Sequence, residues 1–311
     1  MEFIDVKNIS SSWDIKVINY MKLSERATLI ISNDDEKFII KRKENLEQFN
    51  REVKLINHLR NNNFSTQFPL STKQGGFSVP YKDSNYSIYN YLEGFTFKIE
   101  ESLNNNITPR LLGETIADLN KIMKSADFLT EYPNKDLYKM VYGFAVNEIR
   151  KVDHSNGLYT IYENLEQDVK RIVNMLPSQL IHRDAHIHNI IFNNNRLSGV
   201  IDFELVEVNV SIFDLCYCTT SVLSEGFTKE ELRGKWFNFV GNLVTAYNQV
   251  NPLSSKEKES IWFVMLCIQT IFMGYFSSNE SLYKINKAMF LWIYENRNQI
   301  EDKVLLDVNL R

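Results

Sequence analysis

Residues 181–189 read Ile-His-Arg-Asp-Ala-His-Ile-His-Asn, and residues 200–204 read Val-Ile-Asp-Phe-Glu. Between and around them, Ile190 to Phe192 and Gly199 to Phe203 are short strand-like runs that enclose the polar cluster Asn193 to Asn195. The spacing therefore sets Asp184 and Asn189 on one side of a hairpin and Asp202 on the other. Moving a phosphoryl group needs a carboxylate that orients the acceptor and takes its proton. It also needs oxygen ligands that hold Mg²⁺ against nucleotide phosphates. H-x-D-x-x-x-x-N, an apolar strand and then D-F supply both sets from two adjoining loops. As an isolated pattern H-x-D would carry little weight.

Upstream of this stretch the first ninety residues read as a small sheet with one helix. Thr28 to Ser32 and Lys37 to Arg42 are rich in β-branched and aromatic residues and flank the turn Asn33-Asp34-Asp35. Leu46, Phe49, Val53, Ile56 and Leu59 recur at helical spacing and give one apolar face. Two further strands follow, around Phe77 to Tyr81 and Tyr86 to Leu92, and Gly94 ends the last of them. Beyond it the pattern is mainly helical. Thr108-Pro109 opens a helix through Met123, and Thr228 with Glu231 and Ser254 with Glu257 read as capping boxes. The expected architecture is α+β in two lobes: residues 1–93 as an antiparallel sheet with one helix, and 94–311 as a larger, mainly helical lobe that carries the catalytic hairpin.

These residues resemble the aminoglycoside phosphotransferase and choline kinase family, which shares the protein-kinase-like fold. The resemblance is specific from about Leu180 to Leu215. It implies that Asp184 is the catalytic base, that Asn189 and Asp202 are metal ligands, that His182 buttresses the loop and that Asp214, in Ile-Phe-Asp-Leu, supports it. Lys41 resembles the V-A-I-K lysine that grips nucleotide phosphates. Such a lysine needs a carboxylate to hold it. At 100° per residue Glu52 falls within the apolar arc of the first helix, so it is the expected partner. Tyr89, Asn90, Tyr91 and Leu92 resemble the hinge whose backbone meets the base. The implied cofactors are ATP, with GTP as the alternative donor, and Mg²⁺, acting on a hydroxyl of a small molecule.

Two departures stand out. Arg183 occupies a position where the family usually has Gly or Asn, and His-Arg-Asp is the wording of protein kinases. Only eleven residues separate Asp202 from Asp214, however, Glu204 replaces the Gly of D-F-G, and no A-P-E follows. That leaves no room for a segment that docks a peptide. The turn expected to cover the phosphates, Lys22 to Ala27, contains no glycine, although backbone N–H groups there must approach closely. This motivates a rival reading, a nucleotide-binding protein without turnover.

Composition bounds the rest. The chain has 311 residues, 44% hydrophobic and 24% charged, with a net charge of −4. That balance fits a globular protein and argues against a nucleic-acid partner. The segment up to Glu93 has 13 basic and 12 acidic residues, the remainder 22 and 27, so the acidity lies in the second part. Three cysteines without a C-x-x-C pair read as core thiols in a reducing cytoplasm. The start Met1-Glu2-Phe3-Ile4-Asp5 lacks a signal-peptide pattern. Ile261 to Phe276, interrupted by Gln269, reads as a buried core helix rather than a membrane span. Nothing in the sequence sets an oligomeric state.

His182, His186 and His188 beside Asp184 raise a zinc site, but the oxygen-rich set suits Mg²⁺ better. Trp236, Trp262, Tyr275 and Trp292 could cage a quaternary ammonium, although at helical spacing most read as core.

Overall fold

The strands β1 (Val17–Lys22), β2 (Ala27–Ser32), β3 (Lys37–Lys43), β4 (Val79–Tyr81) and β5 (Ser84–Asn90) form one antiparallel sheet in the order β1-β2-β3-β5-β4. This is a computed structural model that describes residues 2–305. Side chains alternate across a strand, so Ile40 faces one side of β3 while Ile39, Lys41 and Lys43 face the other. Ile30, Ile40 and Ile88 form a core with Val6, Ile9 and Trp13 from helix α1 (Phe3–Ser10) and the turn after it. On the opposite face lies α2 (Leu46–Asn61), whose Phe49, Val53, Ile56 and Leu59 are buried as the periodicity predicts, whereas Leu46, the first residue of the expected apolar face, is exposed. Its start is fixed by Asn45, whose side chain accepts from the Gln48 N–H. The turn between β2 and β3 puts Asp35 in the left-handed region, at φ 59°.

The chain continues through α3 (Ile99–Asn104), α4 (Ile107–Lys124), a π-helical segment at Lys139–Ala145, α5 (Val146–Val152), α6 (Asn156–Met175) and β6 (Ser178–Ile181). A hairpin of β7 (Ile190–Asn193) and β8 (Arg196–Val200) follows, then β9 (Glu207–Val210), which pairs antiparallel with β6. Among the described residues, helices α7 (Phe213–Gly226), α8 (Glu230–Val250), α9 (Ser255–Tyr275), α10 (Glu280–Glu295) and α11 (Arg297–Leu305) follow. Gly113 lets α4 approach α8: a Cβ there would lie 2.4 Å from the Leu243 carbonyl oxygen. Helix α9 is buried on nearly every side, and Gln269 donates to Asn286, so the apolar stretch is a core helix. Among the described residues no helix is long and apolar enough to cross a membrane. All three cysteines are free and buried.

The contacts divide the chain into two units: Met1–Phe95 with Ile191–Glu204, and Thr96–Ile190 with Leu205 onward. Compared with an expected split into 1–93 and 94–311, the first unit therefore gains the hairpin. The ties are backbone hydrogen bonds between segments remote in sequence. Gln67 N donates to the Val200 carbonyl at 3.0 Å, and Phe95 and Phe192 exchange two bonds at 2.9 Å. Gly94 makes the second tie feasible. Its φ is 138°, and a Cβ would lie 2.3 Å from the Phe192 oxygen.

Of the two expected capping boxes, Ser254 with Glu257 forms as read. Thr228 with Glu231 does not. Helix α8 begins at Glu230, so its N-cap is Lys229, which makes no side-chain cap. The strand expected at Gly199 to Phe203 ends at Val200, and Phe203 to Leu205 form a 3₁₀ turn.

Candidate active site

In the second unit, β6 delivers the chain into the loop from His182 to Asn189. Asp214, in the first turn of α7, holds the loop from beneath: it is fully buried, and its two oxygens accept from the N–H groups of His182 at 2.8 Å and Arg183 at 2.7 Å. Burial pushes the Asp214 carboxyl up to about 7, against the pull of those two bonds. His182 is itself fully buried, and its Nδ1 accepts from the Asp184 N–H. Both side chains thus hydrogen-bond the backbone of this loop.

The Asp184 carboxylate is committed on both oxygens. Oδ1 accepts from the Tyr217 hydroxyl at 2.7 Å, with His186 Nε2 at 3.6 Å, and Oδ2 accepts from Asn189 Nδ2 at 2.9 Å. Burial pushes the carboxyl up, but nearby His186 and the Tyr217 hydroxyl outweigh it and hold the group below the usual range. It is therefore an anion at neutral pH, as a proton acceptor must be. Asn189 donates through Nδ2, which leaves its Oδ1 as an available oxygen ligand. Asp184 and Tyr217 line a cavity of about 270 Å³.

Arg183 explains its own departure from the resembled family. Its φ is 70°, a left-handed conformation that Gly or Asn adopts with little strain. The guanidinium lies 3.1 Å from Glu207, a carboxylate only 2% exposed. Burial raises the Glu207 carboxyl above its ordinary 4.5, and Arg183 opposes the rise. A raised carboxyl favours the protonated folded form, so it costs nothing at pH below 4.5 and costs progressively more as pH climbs through its folded value. Arg183→Gly removes the counter-charge and relieves the left-handed strain together. It should match or exceed wild-type stability near pH 4 and fall about 2 kcal/mol below it at pH 8. Melting temperatures across that range are the measurement, and a gap that did not change with pH would defeat the assignment.

The first unit holds the other half of the sequence pattern. Lys41 Nζ lies 2.5 Å from Asp202 Oδ1, and Asp202 has a φ of 64°. Glu52, the expected partner of Lys41, is instead bound by Lys43 at 2.9 Å and by the Tyr89 hydroxyl at 2.8 Å. Lys43 also reaches Glu204 at 2.8 Å. Strand alternation puts both lysines on the face of β3 that meets α2. The pairing differs because Lys43, one step further along, is the one at Glu52. Burial disfavours the Lys43 ammonium, yet Glu52 and Glu204 together more than restore it, so its pKa is raised.

The glycine-free turn closes on itself. Ser24 Oγ accepts from the N–H groups of Arg26 and Ala27, and Leu23 and Ser24 both donate to the Ala27 carbonyl. In the candidate hinge, Tyr89 is buried and Asn90 is committed: its N–H donates to Phe68, and its carbonyl accepts from Gln67. Tyr91 and Leu92 lie past the last ladder pair, Phe38 with Asn90.

His188 pairs with Glu225 at 2.7 Å, and among the described residues no group of three or more His, Cys, Asp or Glu could hold a metal. That leaves the zinc reading without a ligand set. Trp236 and Trp262 are buried and donate to the carbonyls of Thr219 and Ile293, and Trp292 packs on Phe237. Trp236 and Trp262 are core, Trp292 is half-buried, and of the four aromatics only Tyr275 lines the cavity. The sequence reading missed Tyr217, Glu207, Lys43 and Glu204. Lys43 shares the face of Lys41 at a two-residue step, which was a usable signal; for Tyr217 there was none.

The sequence profile of the phosphotransferase enzyme family (APH) matches residues 22–247. The chain belongs to that family. A homoserine kinase of Mesorhizobium japonicum is 24% identical over 213 residues, covering 67% of this chain and 62% of that protein, so the chain spans less than two thirds of its relative's length. Among solved structures, a microcompartment-associated aminopropanol kinase superposes with a TM-score of 0.70 at 12% identity, covering 96% of this chain and 99% of that one. The amicoumacin kinase hAmiN, solved with AMP-PNP, Ca²⁺ and Ami, gives 0.69 at 15%, covering 97% and 93%. At such identities the likeness is one of fold, α+β and protein-kinase-like.

Proposed function

We propose that the protein is a small-molecule kinase that transfers the terminal phosphate of a Mg²⁺-bound nucleotide, ATP or alternatively GTP, to a hydroxyl group. The observation that carries this reading is an ionised Asp184 at the wall of a cavity, its carboxylate aimed by Tyr217 and Asn189. In this mechanism Asp184 orients the acceptor hydroxyl and takes its proton as the phosphoryl group moves in line. His182 and Asp214 keep the loop in register. Lys41 neutralises phosphate charge, and the backbone of Tyr91 and Leu92 meets the base.

By donor type, each candidate ligand suits Mg²⁺. Asp202 has a side chain 46% exposed and Asn189 has an uncommitted amide oxygen, both hard ligands of the kind this ion takes. The ion would supply charge stabilisation on the transferring phosphate. Against a protein kinase stands the stretch between Asp202 and Asp214, taken up by a 3₁₀ turn and β9. The test is ADP release from ATP and GTP over a panel of hydroxyl compounds, run beside a peptide library with [γ-³²P]ATP. Release only with peptides would replace this reading, and binding without any release would favour a nucleotide sensor.

A further inference from the structure

We propose that the acceptor is a neutral alcohol with an apolar ring or branched hydrocarbon body, rather than an amino sugar or a zwitterionic amino acid; this rests on Asp184 being the base. The cavity beside Asp184, at about 270 Å³, is slightly smaller than typical ligand sites, which run from about 300 to 1,000 Å³. Among the described residues that line it, Arg183 and Asp184 are the ionisable groups apart from tyrosine hydroxyls, and the other walls are aliphatic or aromatic. Neither charge is idle. Arg183 is bound to Glu207, and Asp184 to Tyr217 and Asn189. An ammonium or carboxylate brought here would lose much of its hydration against aliphatic and aromatic walls whose two charges are already paired, a large cost. An apolar body would gain from the same walls.

The aromatic residues do not form a cage for a cation. Tyr217 stacks with Phe213 at 6.2 Å and 14° and with Phe272 at 6.0 Å and 29°, and Phe272 stacks with Phe276 at 6.2 Å and 10°. The rings run as a near-parallel ladder, whereas a cage turns several faces toward one point. The rim points the same way. Leu205 and Tyr275 line the cavity while 48% and 56% exposed, and Phe144 leans on Tyr275 at 5.2 Å. Exposed apolar side chains gathered around one opening mark a ligand or partner surface. Met140, on the wall, and Phe144 both come from the π-helical segment, a wide turn found often at functional sites.

The test is a saturation-transfer NMR titration of the full chain with 2-phenylethanol, homoserine and kanamycin, repeated on Leu205→Asp and Tyr275→Asp. Both substituted residues are exposed, so melting temperatures should hold. The expected result is 2-phenylethanol binding at least about tenfold tighter than either charged probe, with that advantage lost in both variants. Tighter binding of homoserine or kanamycin would overturn the proposal, as would phenylethanol binding that is absent or indifferent to both substitutions. MgATP binding and ADP release are measured in parallel. Their failure would overturn the kinase reading, whereas the probe ranking judges the acceptor class separately.

Discussion

Replacing Asp184 by alanine is expected to lower kcat by about 10²–10⁴-fold, the usual share of a general base, while Mg²⁺–nucleotide affinity stays near wild type. Replacing Asp202 by alanine is expected to abolish turnover as severely, but with a different binding signature. In the presence of Mg²⁺ the nucleotide should bind more weakly, because a carboxylate that would hold the ion in the ground state is gone. In EDTA the sign reverses. Lys41 is held at 2.5 Å by Asp202 in the free protein, and without that carboxylate its ammonium is released to the phosphates. Isothermal titration of both variants with and without Mg²⁺ reads all four values. Equal losses of affinity in the two variants, or normal turnover in Asp184→Ala, would refute the division of roles.

The two lysines of β3 should separate just as sharply. Lys43 is 3% exposed between Glu52, also 3% exposed, and Glu204. Lys43→Met leaves two carboxylates facing each other with no cation between them. A broken buried pair costs about 3–5 kcal/mol, which for a chain of this size lowers the melting temperature by roughly 10 °C. Lys41→Met leaves only Asp202, which water reaches, so stability should change by about 1 kcal/mol or less. Its effect should appear instead as a raised KM for nucleotide. Should Lys41→Met melt early with an unchanged KM, the roles of the two residues would have to be exchanged.

The sequence offered Asp184, Asn189 and Asp202 as candidates in one short stretch, where the spacing of residue types alone suggests a chemistry. It also carried β2, β3 and α2, whose buried faces follow clean periods of 2 and 3.6. It did not carry β1, where only Val17 is buried and no alternation is left to read. Nor did it carry β6 and β9: each has only four residues, nearly all buried, so they show no period. Helix periodicity correctly turned Glu52 toward the sheet, but it could not choose between two lysines on the same strand face. Tyr217 was invisible for a deeper reason. Its bond to Asp184 spans 33 residues and depends on how α7 leaves the buried Asp214.

The ion pair between Lys41 and Asp202 makes the free protein its own placeholder. A divalent cation arriving alone must compete with an ammonium for the carboxylate, and a phosphate arriving alone must compete with a carboxylate for the ammonium. Delivered together, each frees the group the other needs, so the two binding events are thermodynamically coupled, and by reciprocity each strengthens the other by the same factor. On the proposed function, selectivity for the metal–nucleotide complex over either component would follow from one exchange of counter-ions at this pair.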